Sequence, residues 1–207
     1  MESRSLLVQY AHPQPWASRI NRTMRDAIAD LDGVHVNDLY ARYPDFLIDA
    51  AYEKRLCAEA DLVVFHHPLY WYSAPPLLRE WQDRVLGYGW AYGREGTALS
   101  GKMLLSAVST GGPERAFRID GRNRFPLEYF LLPFDQMAHL CGMRYLAPLI
   151  FYGAHGADLT AVETHAAAYR ERLIALRDGG EPDLFTLPDR DGTRTRHATD
   201  GQGGDLG

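Results

Sequence analysis

The stretch Asp61–Trp81 constrains this chain most, because an apolar run leads directly into an aromatic loop and a proline pair. Leu62–Phe65 is wholly apolar and partly β-branched, which predicts a short strand buried on both faces. The loop 69–72 reads Leu-Tyr-Trp-Tyr, although loops are normally polar. The pair Pro75-Pro76 forbids helix before it and suits a first helical turn, for which Ser73 is the expected cap. An aromatic loop therefore follows a central strand, where open α/β sheets bind ligands.

Strand and helix patterns alternate along the chain. Strands are predicted at 6–10, 34–39, 62–65, 102–108 and within 144–152, and helices at 18–33, 50–60, 76–86, 125–142 and 160–177. We expect Pro133 to kink the fourth helix or to begin a new segment, and Thr160 with Glu163 to form a capping box on the last. The alternation predicts a doubly wound, five-stranded parallel α/β sheet of order 2-1-3-4-5, with helices on both faces. One domain is expected over 1–187, followed by a disordered tail at 188–207.

Composition excludes several classes of function. The net charge of −5 argues against nucleic-acid binding, which needs a basic face. No apolar run approaches the roughly 20 residues of a membrane span. Cys57 and Cys141 are far apart, so neither a disulfide framework nor a zinc site is indicated. The short, acidic start of the chain does not resemble a signal peptide, and the expected location is cytoplasmic.

Common catalytic and nucleotide motifs are missing from the expected places. The sequence has no phosphate loop of the G-x-x-x-x-G-K-[ST] type, no G-x-G-x-x-G after the first strand and no G-x-S-x-G. His66 and His67 are expected to end the third strand with side chains on opposite faces, so they cannot chelate one metal. We interpret them as a cap and a packed core side chain, and predict no metal site.

Three loops are expected to meet at the carboxyl edge of the sheet, because strands one, three and four are neighbours in the predicted order. The first, 12–21, puts His12, Ser18 and Asn21 beside a helix N-terminus, which favours a phosphate. The second, 68–73, supplies aromatic side chains and backbone for a flat ring, and the third supplies Gly111-Gly112 for close backbone approach. Each of these features, considered alone, is explained by a helix cap or by a turn. Together they fit a flavin mononucleotide.

Four segments also resemble a known family. They are A-H-P-x-P-x-x-S-x-x-N at 11–21, L-Y-W-Y-S-A-P-P at 69–76, G-W-A-Y-G at 89–93 and S-T-G-G at 109–112. In this order they resemble the flavodoxin-like NAD(P)H:quinone oxidoreductases, and most of all the ancillary subunits of glutathione-gated potassium-efflux systems. The resemblance covers residues 5–177.

This resemblance implies a bound flavin, FMN as in the ancillary subunits or FAD as in the larger quinone reductases. It implies flavin contacts at His12, Ser18, Arg19, Ile20, Asn21, Leu69, Tyr70, Trp71, Tyr72, Ser109, Thr110, Gly111 and Gly112. It also implies a homodimer in which Trp90 and Tyr92 of one copy flank the substrate of the other, with Phe117 as a further substrate contact. Interface packing alone is the alternative role for Trp90 and Tyr92.

The sequence departs from the pattern of this family at the residues that transfer a proton. Diaphorase-type quinone reductases carry a Tyr and a His downstream of the glycine pair, and the matching places here are near Phe117 and Asn123, which cannot relay a proton. The expected activity is hydride transfer from NADPH or NADH through the flavin to a quinone-like electrophile. The alternative is a regulatory subunit bound to a potassium-efflux transporter at the inner face of the membrane. A one-electron flavodoxin carrier is disfavoured, because its Ser/Thr-rich phosphate loop and acidic surface are missing.

Overall fold

The computed structural model describes residues 3–188, which form one parallel sheet flanked by helices. Its strand order is β2-β1-β3-β4-β5, with β6 also paired to β4, so the predicted order is confirmed. The strands are β1 Leu6–Tyr10, β2 Val34–Asp38, β3 Leu62–Pro68, β4 Met103–Ser109, β5 Arg144–Tyr145 and β6 Leu149–Phe151. The predicted fifth strand is therefore two short segments, of which β5 pairs with the first residues of β4 and β6 pairs with its last residues.

Helices cover both faces of the sheet, as predicted. They are α1 Arg19–Asp26, α2 Leu39–Arg42, α3 Ala50–Glu59, α4 Pro76–Val85, α5 Leu132–Leu140 and α6 Leu159–Arg177. Side chains of β3 alternate between two apolar cores, with Val63 and Phe65 packed toward α3, α4 and α5 and Leu62 and Val64 toward α1 and α6. This two-sided burial explains why the strand sequence is continuously apolar.

A buried polar network lies within the α3–α4 side of the core. The carboxylate of Glu53 is fully buried and accepts hydrogen bonds from Gln9 Nε2 at 2.8 Å, Trp81 Nε1 at 2.8 Å and the Tyr43 hydroxyl at 2.7 Å. Asn37 Nδ2 donates to both carboxylate oxygens, at 3.0 and 3.1 Å. Because every partner is a donor, the network satisfies an ionised carboxylate. It ties two strands and three helical segments together.

The third strand is longer than predicted. It runs through His66 and His67 to Pro68, so these histidines do not end it, because all three residues stay paired with β4. Both imidazoles are fully buried, which agrees with a core role. His67 Nδ1 lies 2.9 Å from the carbonyl of Pro68, and burial lowers the pKa of His67 to about 4. Burial likewise lowers the pKa of His66 to about 3.

Several helix ends also differ from the sequence prediction. Helix α4 begins after Pro75 with no side-chain cap, so Ser73 is not its cap. Asp158, rather than the Thr160 box, caps α6 by accepting from the backbone N–H of Ala161. The predicted loop 40–49 contains most of the short helix α2. Pro133 lies in the first turn of α5, after a 3₁₀ turn at Leu127–Leu131, so it begins a new segment.

The C-terminal part of the described chain covers one edge of the sheet. Ala147 N–H donates to the carbonyl of Asp183 at 2.8 Å, and Phe185 N–H donates to that of Tyr145 at 2.9 Å. Leu146 and Leu184 form the antiparallel bridge between them. The predicted tail lies almost wholly outside the described residues. Within residues 3–188, no helix is both long and apolar enough to cross a membrane.

Candidate functional site: a cavity at the carboxyl edge of the sheet

The loops that follow β1, β3 and β4 meet at one cavity of about 310 Å³, here called the edge cavity. It brings together many of the residues predicted for the site: His12, Ser18, Arg19, Ile20, Asn21, Leu69, Tyr70, Ser109 and Gly111. Gln14, Ala17 and Pro68 also line it; they lie within the predicted loops but were not singled out. Ala154 and His155 line it too, and they lie outside those loops. Its volume lies within the usual range for small-molecule sites.

One end of the edge cavity is the N-terminus of α1. The Ser18 hydroxyl caps this helix by accepting from the backbone N–H of Asn21 at 3.2 Å. Asn21 Nδ2 donates to Ser109 Oγ at 2.8 Å, which links the first loop to the third. Asn21 Oδ1 is buried and has no hydrogen-bond partner in the described chain. Free N–H groups and the helix dipole make this end suitable for an anion, with a side-chain acceptor beside it.

His12 also lines the edge cavity and is nearly buried. Its Nδ1 accepts from the backbone N–H of Gln14 at 3.1 Å, and burial lowers the pKa of His12 to about 4. The imidazole is therefore neutral at neutral pH, and this hydrogen bond assigns its proton to Nε2. His12 can thus act as a fixed hydrogen-bond donor.

The second loop is a strained hairpin that holds aromatic side chains outward. Tyr70 and Ser73 exchange two backbone hydrogen bonds of 3.0 Å, so Trp71 and Tyr72 form a two-residue turn. Both have left-handed backbones, with φ of 51° and 62°. Such turns normally contain Asn or Gly, because large side chains are strained there. Trp71 is 93% exposed and Tyr72 is 48% exposed, so the hairpin presents an aromatic surface next to the edge cavity.

The third loop leads into a group of aromatic rings. A Cβ placed on Gly112 would lie 3.1 Å from the ring of Phe117, so this position leaves little space for a side chain. The nearly buried ring of Phe117 contacts Phe130 and Tyr152, while Tyr72 stacks on Phe130 at 4.9 Å. Thr110 is buried, and its N–H donates to the carbonyl of Phe151 at 2.8 Å. Thr110 and Gly112, both predicted as flavin contacts, do not line the edge cavity.

Trp90 and Tyr92 do not line the edge cavity of their own chain. They belong to the turn after α4, where Gly89 N–H donates to the carbonyl of Tyr92 at 2.9 Å. The Lys54 ammonium lies 5.2 Å from the centre of the Trp90 ring. Neighbouring Tyr88 is largely exposed, which makes this an aromatic surface.

A fourth loop closes the edge cavity and was missed in the sequence. It follows β6, where Gly153 N–H donates to the carbonyl of Gly112 at 2.8 Å and Ala154 N–H to that of Thr110 at 2.9 Å. Arg19 reaches across to donate to the carbonyl of Ala157. The signal was available, because the fifth strand neighbours the fourth in the predicted order and its loop must emerge at the same edge.

Comparison with known proteins agrees with this geometry. The family described as having a flavodoxin-like fold matches residues 4–173. The chain belongs to this flavodoxin-like family. Among its curated relatives, the glutathione-regulated potassium-efflux system ancillary protein KefG of Yersinia enterocolitica is 46% identical over 176 residues, which cover 84% of this chain and 96% of that protein. The predicted family resemblance is therefore confirmed.

Solved structures of flavodoxin-like proteins give the same result. General stress protein 14 of Treponema denticola, in complex with FMN, has a TM-score of 0.80 and 38% identity, covering 83% of this chain and 99% of that one. An NADPH-quinone reductase of P. pentosaceus has a TM-score of 0.75 and 29% identity, covering 82% and 97%. These similarities extend across nearly the whole described part of this flavodoxin-like chain.

Proposed function

We propose that this protein is a flavin-dependent NAD(P)H oxidoreductase that delivers two electrons to quinones or similar electrophiles, with FMN as its cofactor. The observation that carries the proposal is the convergence of the loops after β1, β3 and β4 on one cavity. The FMN complex of the Treponema denticola relative and the quinone reductase from P. pentosaceus support it.

The residues of the edge cavity fit an FMN in chemistry as well as in place. The N-terminus of α1, with the guanidinium of Arg19 lining the same cavity, suits a phosphate. The unpartnered Oδ1 of Asn21 suits a ribityl hydroxyl, which can donate to it. Tyr70 and the backbone beside Gly111 suit the edge of a flat ring.

When bound, the flavin supplies the capacity to accept a hydride and to pass both electrons on. The chain contributes orientation and electrostatics. His12 offers a neutral N–H donor, and the backbone N–H of Gly111, which lines the edge cavity, favours negative charge on the reduced ring. Trp71 and Tyr72 offer apolar surface on which a nicotinamide or quinone ring can stack.

The experiment that tests this function starts from the purified protein. We expect a yellow protein with flavin absorbance, FMN as the cofactor identified by mass after release, and NADPH or NADH oxidation that depends on menadione. An Asn21→Ala variant should lose FMN affinity, while His139→Ala, on the exposed end of α5, should not. A colourless protein that stays inactive with added FMN or FAD would refute the proposal.

We also propose that two copies form a homodimer in which segment 89–93 of one copy completes the crevice of the other. The support is that Trp90 and Tyr92 lie apart from the edge cavity of their own chain, next to the exposed Tyr88. Light scattering should give twice the mass of one chain. Trp90→Ala should raise the KM for menadione more than it lowers FMN affinity. A monomer with full activity would refute this arrangement.

A second candidate function is regulation of a transporter. The relatives that favour it are named ancillary proteins of a glutathione-regulated potassium-efflux system. If this chain acts in the same way, it should co-purify with the transporter encoded in its own genome and change potassium efflux. Absence of both a complex and an effect would remove this candidate and leave the oxidoreductase proposal intact.

A further inference from the structure

A second cavity lies on the segment between β4 and α5, apart from the edge cavity. Its volume is about 280 Å³, and we call it the loop pocket. Its lining is apolar except for one guanidinium: Ile119, Arg124, Phe125, Pro126 and Tyr129. The rings of Phe125 and Tyr129 lie 5.9 Å apart and are tilted by 31°, so they form an aromatic wall. Ile119 and Phe125 are exposed, which leaves this wall accessible to a ligand.

The loop pocket is connected to the hairpin of the second loop, which lies next to the edge cavity. Tyr72 of the hairpin stacks on Phe130 at 4.9 Å, and Phe130 contacts Phe125 of the pocket at 6.4 Å. The Tyr72 hydroxyl also donates to Asn123 Oδ1 at 3.3 Å, and Asn123 directly precedes Arg124. A dinucleotide whose nicotinamide stacks against the hairpin can therefore place its other end in the loop pocket.

The backbone holds Arg124 in a conformation that is unusual for arginine. Its φ is 65°, in the left-handed region, where a bulky side chain is strained. The turn is fixed because Arg124 N–H donates to the carbonyl of Gly121 at 3.0 Å and Asn123 N–H donates to that of Ala116 at 2.9 Å. Within residues 3–188, the Arg124 guanidinium forms no ion pair and no hydrogen bond. Its donors are therefore available to an anionic ligand, and strain of this kind is found at ligand sites.

We propose that the loop pocket binds the adenosine 2′-phosphate end of NADPH and thereby makes NADPH the preferred electron donor over NADH. This inference rests on the proposed function. The adenine stacks on Phe125, because the face of an aromatic ring suits a base. The guanidinium of Arg124 donates hydrogen bonds to the 2′-phosphate, which NADH lacks. The cation therefore distinguishes the two donors, whereas the aromatic wall binds both.

The other charged groups nearby leave Arg124 as the group that recognises the phosphate. Six other charged side chains of this segment do not line the loop pocket: Glu114, Arg115, Arg118, Asp120, Arg122 and Glu128. Three of them are cations and three are anions, so Arg124 supplies the net positive charge of the segment. Arg118 is engaged by Asp120, with Nε and Oδ1 3.3 Å apart. Arg19 lines the edge cavity instead, at the end proposed for the phosphate of FMN.

The first test measures the KM for NADPH and for NADH with menadione as the acceptor. Arg124→Gln should raise the KM for NADPH about tenfold, because charge-assisted hydrogen bonds are lost, and should leave the KM for NADH unchanged. Arg124→Lys should retain part of the preference, because it keeps the charge but not the planar fork. Arg118→Gln is the matched control on the same segment and should change neither KM. Equal KM values for the two donors in the wild type would overturn the proposal.

Nucleotide binding gives a readout that does not depend on activity. Isothermal titration of the purified protein compares adenosine 2′,5′-bisphosphate with 5′-AMP, which lacks the 2′-phosphate. The wild type should bind the bisphosphate about tenfold more tightly, and Arg124→Gln should remove this difference. Phe125→Ala should weaken both nucleotides about tenfold, because both stack on the same ring. Unchanged affinities in both variants would overturn the assigned pocket.

The outcomes separate this inference from the proposed function. Binding of the bisphosphate that depends on Arg124, in a protein that oxidises neither NADPH nor NADH, would refute the proposed function while supporting the pocket as a nucleotide site. Oxidation of both donors with equal KM would overturn the pocket assignment alone. Phe125→Ala protein with half the wild-type mass in light scattering and unchanged nucleotide affinity would show that the pocket is an interface between copies, and would also overturn the proposal.

Discussion

Glu53→Gln is the substitution whose effect on stability follows most directly from the structure. It keeps the size of a fully buried side chain but replaces one acceptor oxygen by an NH₂ group, where four side chains now donate. The Tyr43 hydroxyl can rotate and accept from this new NH₂ group. The Asn37 amide nitrogen cannot, so at least one donor is left facing another donor.

The magnitude follows from the loss of charge. Hydrogen bonds to a charged group contribute about 1.5–3 kcal/mol, against about 1 kcal/mol for neutral ones. Several bonds weaken together, while removing the buried charge offsets part of the loss. We therefore expect the free energy of unfolding to fall by about 3 kcal/mol. For a chain of this size, that lowers the Tm by about 6–12 °C.

Urea denaturation followed by far-UV circular dichroism measures this change. Glu59→Gln is the matched control, because Glu59 lies on the same helix α3 but is exposed, and its effect should stay within about 0.5 kcal/mol. If Glu53→Gln cost less than about 1 kcal/mol, the hydrogen bonds from these four donor side chains would not be the reason this carboxylate is tolerated in the core.

Three further results are expected. The free energy of unfolding should fall by about 3 kcal/mol as the pH drops from 6.5 to about 4, because His67 takes up a proton in this range in the unfolded chain but stays neutral when it is buried in the folded chain. His67→Phe should reduce the slope of the free energy of unfolding against pH in that window, by the equivalent of about one bound proton. Urea denaturation at several pH values measures this slope, and an unchanged slope would contradict the prediction. Replacing Trp71-Tyr72 by Asn-Gly should raise the Tm, because it relieves about 1–3 kcal/mol of backbone strain per residue. The same replacement should raise the KM for menadione. A lower Tm would show that the turn is unstrained. Ser18→Ala should cost about 1 kcal/mol of stability by removing a helix cap and should weaken FMN in isothermal titration, whereas unchanged affinity would leave Ser18 a cap alone.

The fold was predictable because its signals are periodic and local. Continuous apolar strands such as Leu62–Phe65 and their alternation with helices are enough to predict a doubly wound sheet. Helix caps were less predictable, since Asp158 and Thr160 are equally suitable in sequence and only the path of the chain decides between them. The length of β3 also escaped prediction, because the buried histidines read as polar and are kept in the core by tertiary packing.

The candidate site was predictable where a motif and the strand order coincide. Ser18 and Gly111 stand in loops that follow predicted strands, and these strands must be neighbours, so the meeting of the two residues follows from topology. His155 lies in a loop of small and polar residues with no motif, and its approach to Gly111 depends on the interrupted fifth strand. The strand order alone places this loop at the same edge, but a short, broken strand has no distinctive periodicity, so the sequence did not indicate which residues of the loop would line the cavity.

The pairing of Asp183–Phe185 with the outer strand has a practical consequence for protein production. Exposed backbone along a sheet margin invites other chains to add to it, and natural proteins conceal such margins. Here three residues near the end of the described chain cover Tyr145–Ala147. A shortened version that stops at the end of α6 would bare these amides and self-associate, so any version made for expression should keep the segment intact and carry a purification tag beyond it.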